Sequence, residues 1–322
     1  MITQKIYPLG IATLLSLCCA MGVAHADVDA SNLSYYMVQD NEQTTVEKSM
    51  SYMKRFLPKE DISKIKPSRD NFIHYVSEID VNTTFEQNLV TGDIAFSRNF
   101  ARYIGDFAPQ LPDDDKAVQY AVDFLRDSRL LPANQDELKV SHVGGLRSNT
   151  VSKDGKPGPV IDKLKTVSFS RTLDGLPVIG SGSKMVVNLG DGGEVIGVIR
   201  RWRELDKPTR LDVAEVLTED EALASLKKLI LEEFGEDSRW DIINAQLAYY
   251  DNNGYAIQPV YAFQTKIQLA DLKLPPIEYM GVVSAMRKPI EELNLTQVDD
   301  RALKLIQKAD PSAPDESRKE ND

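Results

Sequence analysis

A cluster of basic and aromatic residues, Arg200, Arg201, Trp202 and Arg203, interrupts an otherwise acidic sequence. The chain has 322 residues, of which 38 are basic and 49 acidic, giving a formal net charge of −11. In a strand, alternation places Arg200 and Trp202 on one face and Arg201 and Arg203 on the other. Arginine pairs with carboxylates at two points and stacks on tryptophan, so the cluster is a candidate site for a carboxylate-bearing partner. The alternative is that these arginines pair with acidic residues of the same chain.

The residue types that metal sites and nucleophilic catalysis require are scarce. Cys18 and Cys19 lie in the first 26 residues, and beyond that segment the only histidines are His74 and His142. Two isolated histidines exclude zinc sites built on several histidines, and no nucleotide-binding glycine motif is present. We therefore expect no catalytic residue, no metal site and no cofactor. The abundant acids leave a carboxylate-based hydrolase open as one alternative function, and a small-ligand or lipid carrier is another.

The first 26 residues have the order of a cleavable export signal. Lys5 precedes an apolar stretch over residues 9–23, and a small-x-small triplet ends at Ala26. The apolar stretch is shorter than the roughly 20 residues that a spanning helix needs. We therefore expect cleavage after Ala26, export to the periplasm or the medium, and no transmembrane segment afterwards. Cleavage would also remove both cysteines and His25, and the acidic charge disfavours binding to nucleic acid.

Helical periodicity alternates with short β-rich runs along the rest of the chain. The patterns predict helices over 44–56, from Pro112 to about Leu130 with Asp113–Asp115 as caps, and from Thr218 to Gly235 with Thr218 and Glu221 in capping-box spacing. Strands are predicted over 73–79, 84–89, 94–97, 139–146, 165–173, 184–189, 194–203, 241–250, 258–268 and 277–285, with a loop over 148–159 and a glycine turn at 190–193. This order predicts an α+β protein of repeated modules, each with one helix packed on an antiparallel β-meander.

Residues 169–203 carry a spaced pattern of glycine, proline and valine around a predicted strand. The pattern consists of Arg171, Gly175, Pro177, Val178 and Gly180, followed by Val186, Gly193 and Val195. This segment resembles the FTP module in the propeptides of thermolysin-type secreted metalloproteases, and residues 73–97 and 221–285 resemble PepSY modules. The resemblance implies a PepSY- or cystatin-like architecture. It also implies a freestanding proregion-like protein, because no zinc-binding protease helix follows.

Proregion modules of that family inhibit and help to fold their cognate protease. The resemblance therefore implies a non-enzymatic binding protein that acts as inhibitor or folding assistant of another secreted or envelope protein, with a metalloprotease as a candidate. The expected binding residues are Arg171, Gly175, Pro177, Val178, Gly180, Arg200, Trp202 and Arg203. The expected domains are a signal peptide (1–26), an N-terminal module (27–110), an FTP-like module (111–210), a PepSY-like module (211–298), and a short helix with a charged tail (299–322).

Overall fold

The computed structural model describes residues 32–39, 46–63, 65–104, 106–151, 156–268 and 275–293. The predicted signal peptide, with Cys18, Cys19 and His25, and the predicted tail over 299–322 lie outside the described residues. The described chain divides into two compact units, one formed by Tyr36–Lys207 and the other by the described parts of Ala30–Tyr35 and Pro208–Asp322. No described helix combines the length and the apolar character that crossing a bilayer requires.

The described residues form thirteen strands and three α-helices. The helices are α1 (Val46–Phe56), α2 (Asp114–Asp127) and α3 (Glu219–Phe234). The strands are β1 (Ser34–Met37), β2 (Phe72–Val76), β3 (Thr84–Asn88), β4 (Ile94–Ser97), β5 (Leu138–Val151), β6 (Pro157–Leu173), β7 (Leu176–Gly180), β8 (Lys184–Leu189), β9 (Val195–Arg201), β10 (Thr209–Arg210), β11 (Arg239–Asp251), β12 (Ala256–Gln268) and β13 (Ile277–Ser284).

Unit 1 is built on one antiparallel sheet. Its strand order is β5-β6-β8-β9-β4-β3-β2, and β7 pairs with the end of β6. Both α1 and α2 pack on the same face of this sheet. Phe56 of α1 lies at the centre of their contact, with ring centroids 4.7 Å from Phe96, 5.7 Å from Phe85 and 5.8 Å from Phe124. The two helices and the sheet therefore share a single hydrophobic core.

The predicted architecture of repeated modules, each with one helix on one meander, is wrong. Strand β4 pairs with β9, with Ile94 opposite Arg200 and Ser97 opposite Gly197. This pairing joins the β2–β4 meander to the β8–β9 hairpin in one sheet, so most of the two predicted modules, 27–110 and 111–210, falls in one unit, Tyr36–Lys207. Local periodicity identifies helices and strands, but it carries no information about which distant strands pair.

The local signals for caps and turns are confirmed. Asp113 caps α2 by accepting a hydrogen bond from the Lys116 backbone N–H (2.9 Å). Thr218 and Glu221 form the predicted capping box of α3, and Gly235 ends that helix with a φ of 89°. In the β8–β9 turn Gly192 and Gly193 have positive φ, as expected. Gly190 has a different reason to be glycine, because a Cβ there would clash with the Tyr103 hydroxyl.

The predicted loop over 148–159 is largely paired strand. Strands β5 and β6 continue as a two-stranded ribbon, with Asn149 opposite Val160 and Val151 opposite Pro157. The Arg147 Nε lies 2.8 Å from the Asp162 Oδ1 across this ribbon. Gly158 and Pro159, which helped to indicate a loop, are accommodated because this part of the ribbon is largely exposed and its register shifts between Asn149 and Val151.

Unit 2 contains an antiparallel arrangement of β11, β12 and β13, and β1 pairs with β10 through Ser34 and Tyr35. Helix α3 packs on β13. Phe234 meets Tyr279 edge to face with centroids 5.2 Å apart, and a Cβ on Gly281 would clash with Leu226. Burial of Tyr279, together with the neighbouring Glu233 carboxylate, raises the pKa of the Tyr279 hydroxyl.

A two-point ion pair connects the start of α3 to the chain that follows β13. The Arg287 Nη1 and Nη2 atoms lie 2.8 and 2.9 Å from the two Glu221 carboxylate oxygens. The Thr218 backbone N–H also donates to Glu221 (2.9 Å). These hydrogen bonds, that of Arg287 first, lower the pKa of Glu221 from 4.5 to about 2. The same carboxylate thus serves both the helix cap and the ion pair.

We predict that the Glu221 carboxylate stabilises the protein above its unfolded-state pKa. Because the folded pKa is the lower one, this contribution is complete above about pH 5 and disappears as the pH falls towards 2. The Tm difference between the wild type and Glu221→Gln should therefore be largest near pH 6 and shrink at pH 2.5. Glu219→Gln, which removes an exposed carboxylate from the same helical turn, is the control. A pH-independent Tm difference for Glu221→Gln would contradict this linkage.

Candidate protein-binding face

Arg171 and Trp202 form a buried pair in unit 1. Their exposed fractions are 1% and 2%, and the Arg171 guanidinium lies 4.1 Å above the Trp202 ring. Arg171 also donates to the Arg203 carbonyl (2.7 Å) and the Ser183 hydroxyl (3.2 Å), and its Nε lies 2.9 Å from a Glu137 carboxylate oxygen. The pair therefore connects β6 with the chain after β9, and a partner has no access to the Trp202 ring in this arrangement.

Arg200 makes a second set of contacts on the same side of the sheet. Its Nε donates to the Leu130 carbonyl (2.9 Å) and its Nη1 to the Trp202 carbonyl (2.8 Å). Burial lowers the pKa of the Arg200 guanidinium, which the charges of neighbouring groups partly offset. Arg200 and Trp202 thus share the helix-covered face, as alternation predicted. Arg201 is exposed on the opposite face, whereas Arg203 is buried.

Backbone conformation and packing explain the residue types found at positions 175–180. Asp174 and Gly175, both with positive φ, form the two-residue turn between β6 and β7. Pro177 lies opposite Thr172 in β7, Val178 is buried, and Gly180 has a φ of 111°. These residues form one hairpin next to Arg171 in the chain.

The face of the unit 1 sheet opposite the helices is open over much of its width. Pairing registers place the following side chains in one row across seven strands: His142, Ser168, Val186, Ile199, Ala95, Glu86 and His74. Ile199, in the middle of this row, is 40% exposed. At one end of the face, Tyr103 and Phe107 cover Leu164 and Ile196. The rest of the row mixes apolar residues, Val186, Ile199 and Ala95, with polar and charged ones, and Ser168 within it is buried.

His74 and His142 stand at opposite ends of this row. With strands about 4.8 Å apart, six strand spacings separate the two histidines by roughly 29 Å, so they cannot act in one site. His74 contacts Glu86, with Nδ1 2.9 Å from a carboxylate oxygen. Within the described ranges, no group of three His, Cys, Asp or Glu side chains has the arrangement of a metal site.

Strand β2 forms one edge of the sheet. The bonds from Leu89 N–H to Asn71 C=O (2.8 Å) and from Ser77 N–H to Thr83 C=O (2.9 Å) show that odd-numbered residues of this segment exchange hydrogen bonds with the β3 side. The N–H and C=O groups of His74 and Val76 therefore point away from β3. In the described part of the chain, no strand pairs with that side of β2.

Exposed apolar side chains surround this edge. Phe72 and Val76 of β2 are each 43% exposed, and the adjoining loops add Ile79, Val81 and Val90, which are more exposed still. Clusters of exposed apolar residues are typical of interaction sites. An unpaired strand edge is also a template for another strand. Sequence analysis predicted strands here, but only the register shows which backbone groups point outward.

The two alternative functions, a carboxylate hydrolase and a ligand carrier, each require a feature that can be looked for among the described residues. A carboxylate hydrolase needs an acid with a raised pKa, whereas hydrogen bonds lower the pKa of the Asp80, Asp113, Asp123 and Glu221 carboxyl groups. A carrier needs an enclosed apolar cavity. A depression beside α3 is open to solvent, and four of its six lining residues are charged; the six are Ala224, Lys227, Lys228, Leu231, Glu232 and Glu236.

Comparison with protein-family models gives no match, and comparison with curated proteins gives none either. Among solved structures, the chain is similar to an uncharacterized protein from Eubacterium rectale ATCC 33656, with 10% identity and a TM-score of 0.40. The alignment covers 81% of this chain and 86% of that one. The resemblance to FTP and PepSY modules thus stays a prediction from the sequence.

We predict that Trp202 contributes to stability and Arg201 does not. Trp202→Ala should lower the free energy of unfolding by about 3–5 kcal/mol, because it leaves a cavity beneath Arg171. Arg201→Ala, on the exposed side of the same segment, should change it by less than about 0.5 kcal/mol. Urea denaturation followed by circular dichroism gives both values. Equal stability of the two variants would show that the Arg171–Trp202 pair does not hold the fold together.

Proposed function

We propose that this chain is an exported, non-enzymatic binding protein that acts as inhibitor or folding assistant of another secreted or envelope protein. A metalloprotease is the partner class that the propeptide resemblance suggests. The observation that carries the proposal is the edge of β2, where backbone groups of His74 and Val76 point outward beside exposed apolar side chains. The partner adds a strand at this edge.

Strand addition combines two kinds of interaction at β2. The outward N–H and C=O groups supply main-chain hydrogen bonds, which give affinity without requiring a particular partner sequence. Phe72 and Val76 flank His74 on the open face and provide apolar contact for alternate side chains of the added strand. A partner segment with apolar residues at alternate positions therefore fits this edge.

A photo-crosslinking amino acid at position 76 tests the proposal in the exported fraction of the native cell. We expect crosslinks from position 76 to one extended segment of a partner protein, and few from position 160. Val160 is the matched control, because it is also an exposed valine on a strand of unit 1. Equal crosslinking at the two positions, or none at either, would contradict the proposal.

Hydrogen exchange then distinguishes strand addition from side-chain docking. In the complex with the crosslinked partner, we expect the amide protons of His74 and Val76 to exchange at least about tenfold more slowly, because they become hydrogen-bonded. Val76→Lys should weaken the complex and leave the Tm unchanged. Unchanged exchange at both amides in a stable complex would exclude addition at β2.

A further inference from the structure

The outward-pointing backbone groups of β2 that remain unpaired are few, and their positions limit what can pair with them. Phe72 is also directed away from β3, but its C=O accepts a hydrogen bond from the Ser68 N–H (2.7 Å), and its N–H donates to the Ser68 hydroxyl (3.3 Å). Among the described residues, the outward groups of β2 without a partner are therefore the N–H and C=O groups of His74 and Val76. A strand that pairs with this edge has to meet these two residues.

A second copy of β2 meets this requirement. In an antiparallel pair of two β2 strands with a twofold axis at Tyr75, His74 of each copy lies opposite Val76 of the other. Each such pair of residues exchanges both of its N–H···O=C bonds, so every unpaired outward group of both strands finds a partner. A register shifted by two residues, with His74 opposite its own counterpart, would require the groups of Phe72 that Ser68 already engages.

The exposed apolar residues around β2 suit the same twofold arrangement. Phe72 and Val90 lie at one end of the strand, and Ile79 and Val81 lie in the loop at the other end. In an antiparallel pair, the first end of one copy adjoins the second end of the other. The apolar residues of the two ends therefore cover one another, at both ends of the pair, and leave the solvent together.

The charges at the two ends of β2 are also complementary. The segment before the strand carries Lys66, Arg69 and Asp70, a net positive charge, and the segment after it carries Glu78 and Asp80. Lys66, Arg69 and Glu78 are exposed, and they form no ion pair within the described ranges. The twofold axis brings the positive segment of each copy towards the negative segment of the other. This local attraction opposes the repulsion between two chains that each carry a net charge of −11.

We infer that, in the absence of the partner, a second copy of this chain occupies the β2 edge in a twofold-symmetric dimer. The dimer regulates the site, and this regulatory role rests on the proposed function, because partner and second copy compete for the same backbone groups of His74 and Val76. A pairing of two residues per strand makes a small and readily exchanging interface. It closes on itself and covers an edge that would otherwise template aggregation.

Disulfide trapping tests the dimer and its register. The protein is purified from the exported fraction with Cys18→Ala and Cys19→Ala in place, so that an introduced cysteine is the only thiol whether or not the first 26 residues are removed. In the dimer, His74→Cys of one copy and Val76→Cys of the other lie about 5.5 Å apart at Cα, a distance that suits a disulfide. We expect a mixture of these two variants to form mixed disulfides at least about tenfold faster than His74→Cys mixed with Val160→Cys.

Sedimentation equilibrium of the purified protein gives an independent measurement without cysteines. The weight-average mass of the wild type should rise towards twice that of one chain as the concentration increases to about 0.5 mM. Val76→Lys places a hydrated cation against the second copy and should stay monomeric. Val160→Lys makes the same change on another exposed strand and should dimerise like the wild type. Circular dichroism melting checks that both variants fold.

A wild type that is monomeric at every concentration would overturn the inference, and so would trapping between positions 74 and 76 that is no faster than between 74 and 160. Faster trapping between two copies of His74→Cys would assign another register and overturn the inference as stated. The proposed function is judged separately. Crosslinks from position 76 to another protein, in a chain that is monomeric when purified, would refute the dimer and leave the proposed function intact. Crosslinks from position 76 to a second copy alone would support the dimer and contradict the proposed function.

Discussion

The pairing of β4 with β9 is the contact on which the rest of unit 1 depends. It joins a meander near the N-terminus to a hairpin far along the chain, with Ile94 opposite Arg200. Because of it, α1 and α2 cover the same face of one sheet and share the core around Phe56. The opposite face becomes a continuous surface seven strands wide. Without this pairing, neither the core nor the open face would exist in its present form.

Strand β9 and the residues after it place side chains on both faces of the unit 1 sheet, the helix-covered face and the opposite one. Arg200 and Trp202 face the helices. There the Arg171 guanidinium stacks on the Trp202 ring and donates to the Arg203 carbonyl, and Arg200 donates to the Trp202 carbonyl. Breaking such a cluster costs more than its assembly contributes, because it leaves a buried charge without compensation. Arg201 lies between them in sequence and faces solvent. Of the four residues in the basic cluster that the sequence singles out, Arg200, Trp202 and Arg203 thus contribute to the fold, and only Arg201 lies on the surface.

Local features of the fold were predictable, and long-range ones were not. The caps at Asp113 and Thr218 and the turn glycines depend on interactions within a few residues. A short stretch of sequence is therefore enough to predict them. The β5–β6 ribbon and the β4–β9 pairing depend on partners elsewhere in the chain. The same limit applies to the candidate site. Alternation placed Arg201 and Trp202 on opposite faces of the strand. Only the pairing registers show that Arg201 is aligned with Lys184 and Lys139 on neighbouring strands.

The residues that carry the propeptide resemblance have roles in the backbone and packing of the fold. Gly175 and Gly180 have positive φ, Pro177 and Val178 belong to the β7 strand, and Arg171 is buried against Trp202. Each has a backbone or packing reason that would hold for any protein with this hairpin. A shared pattern at such positions can therefore reflect a shared hairpin without a shared partner. The proposed function rests instead on the edge of β2, where Phe72 and Val76 are exposed, and that edge lies outside residues 169–203, the segment that carries the FTP resemblance.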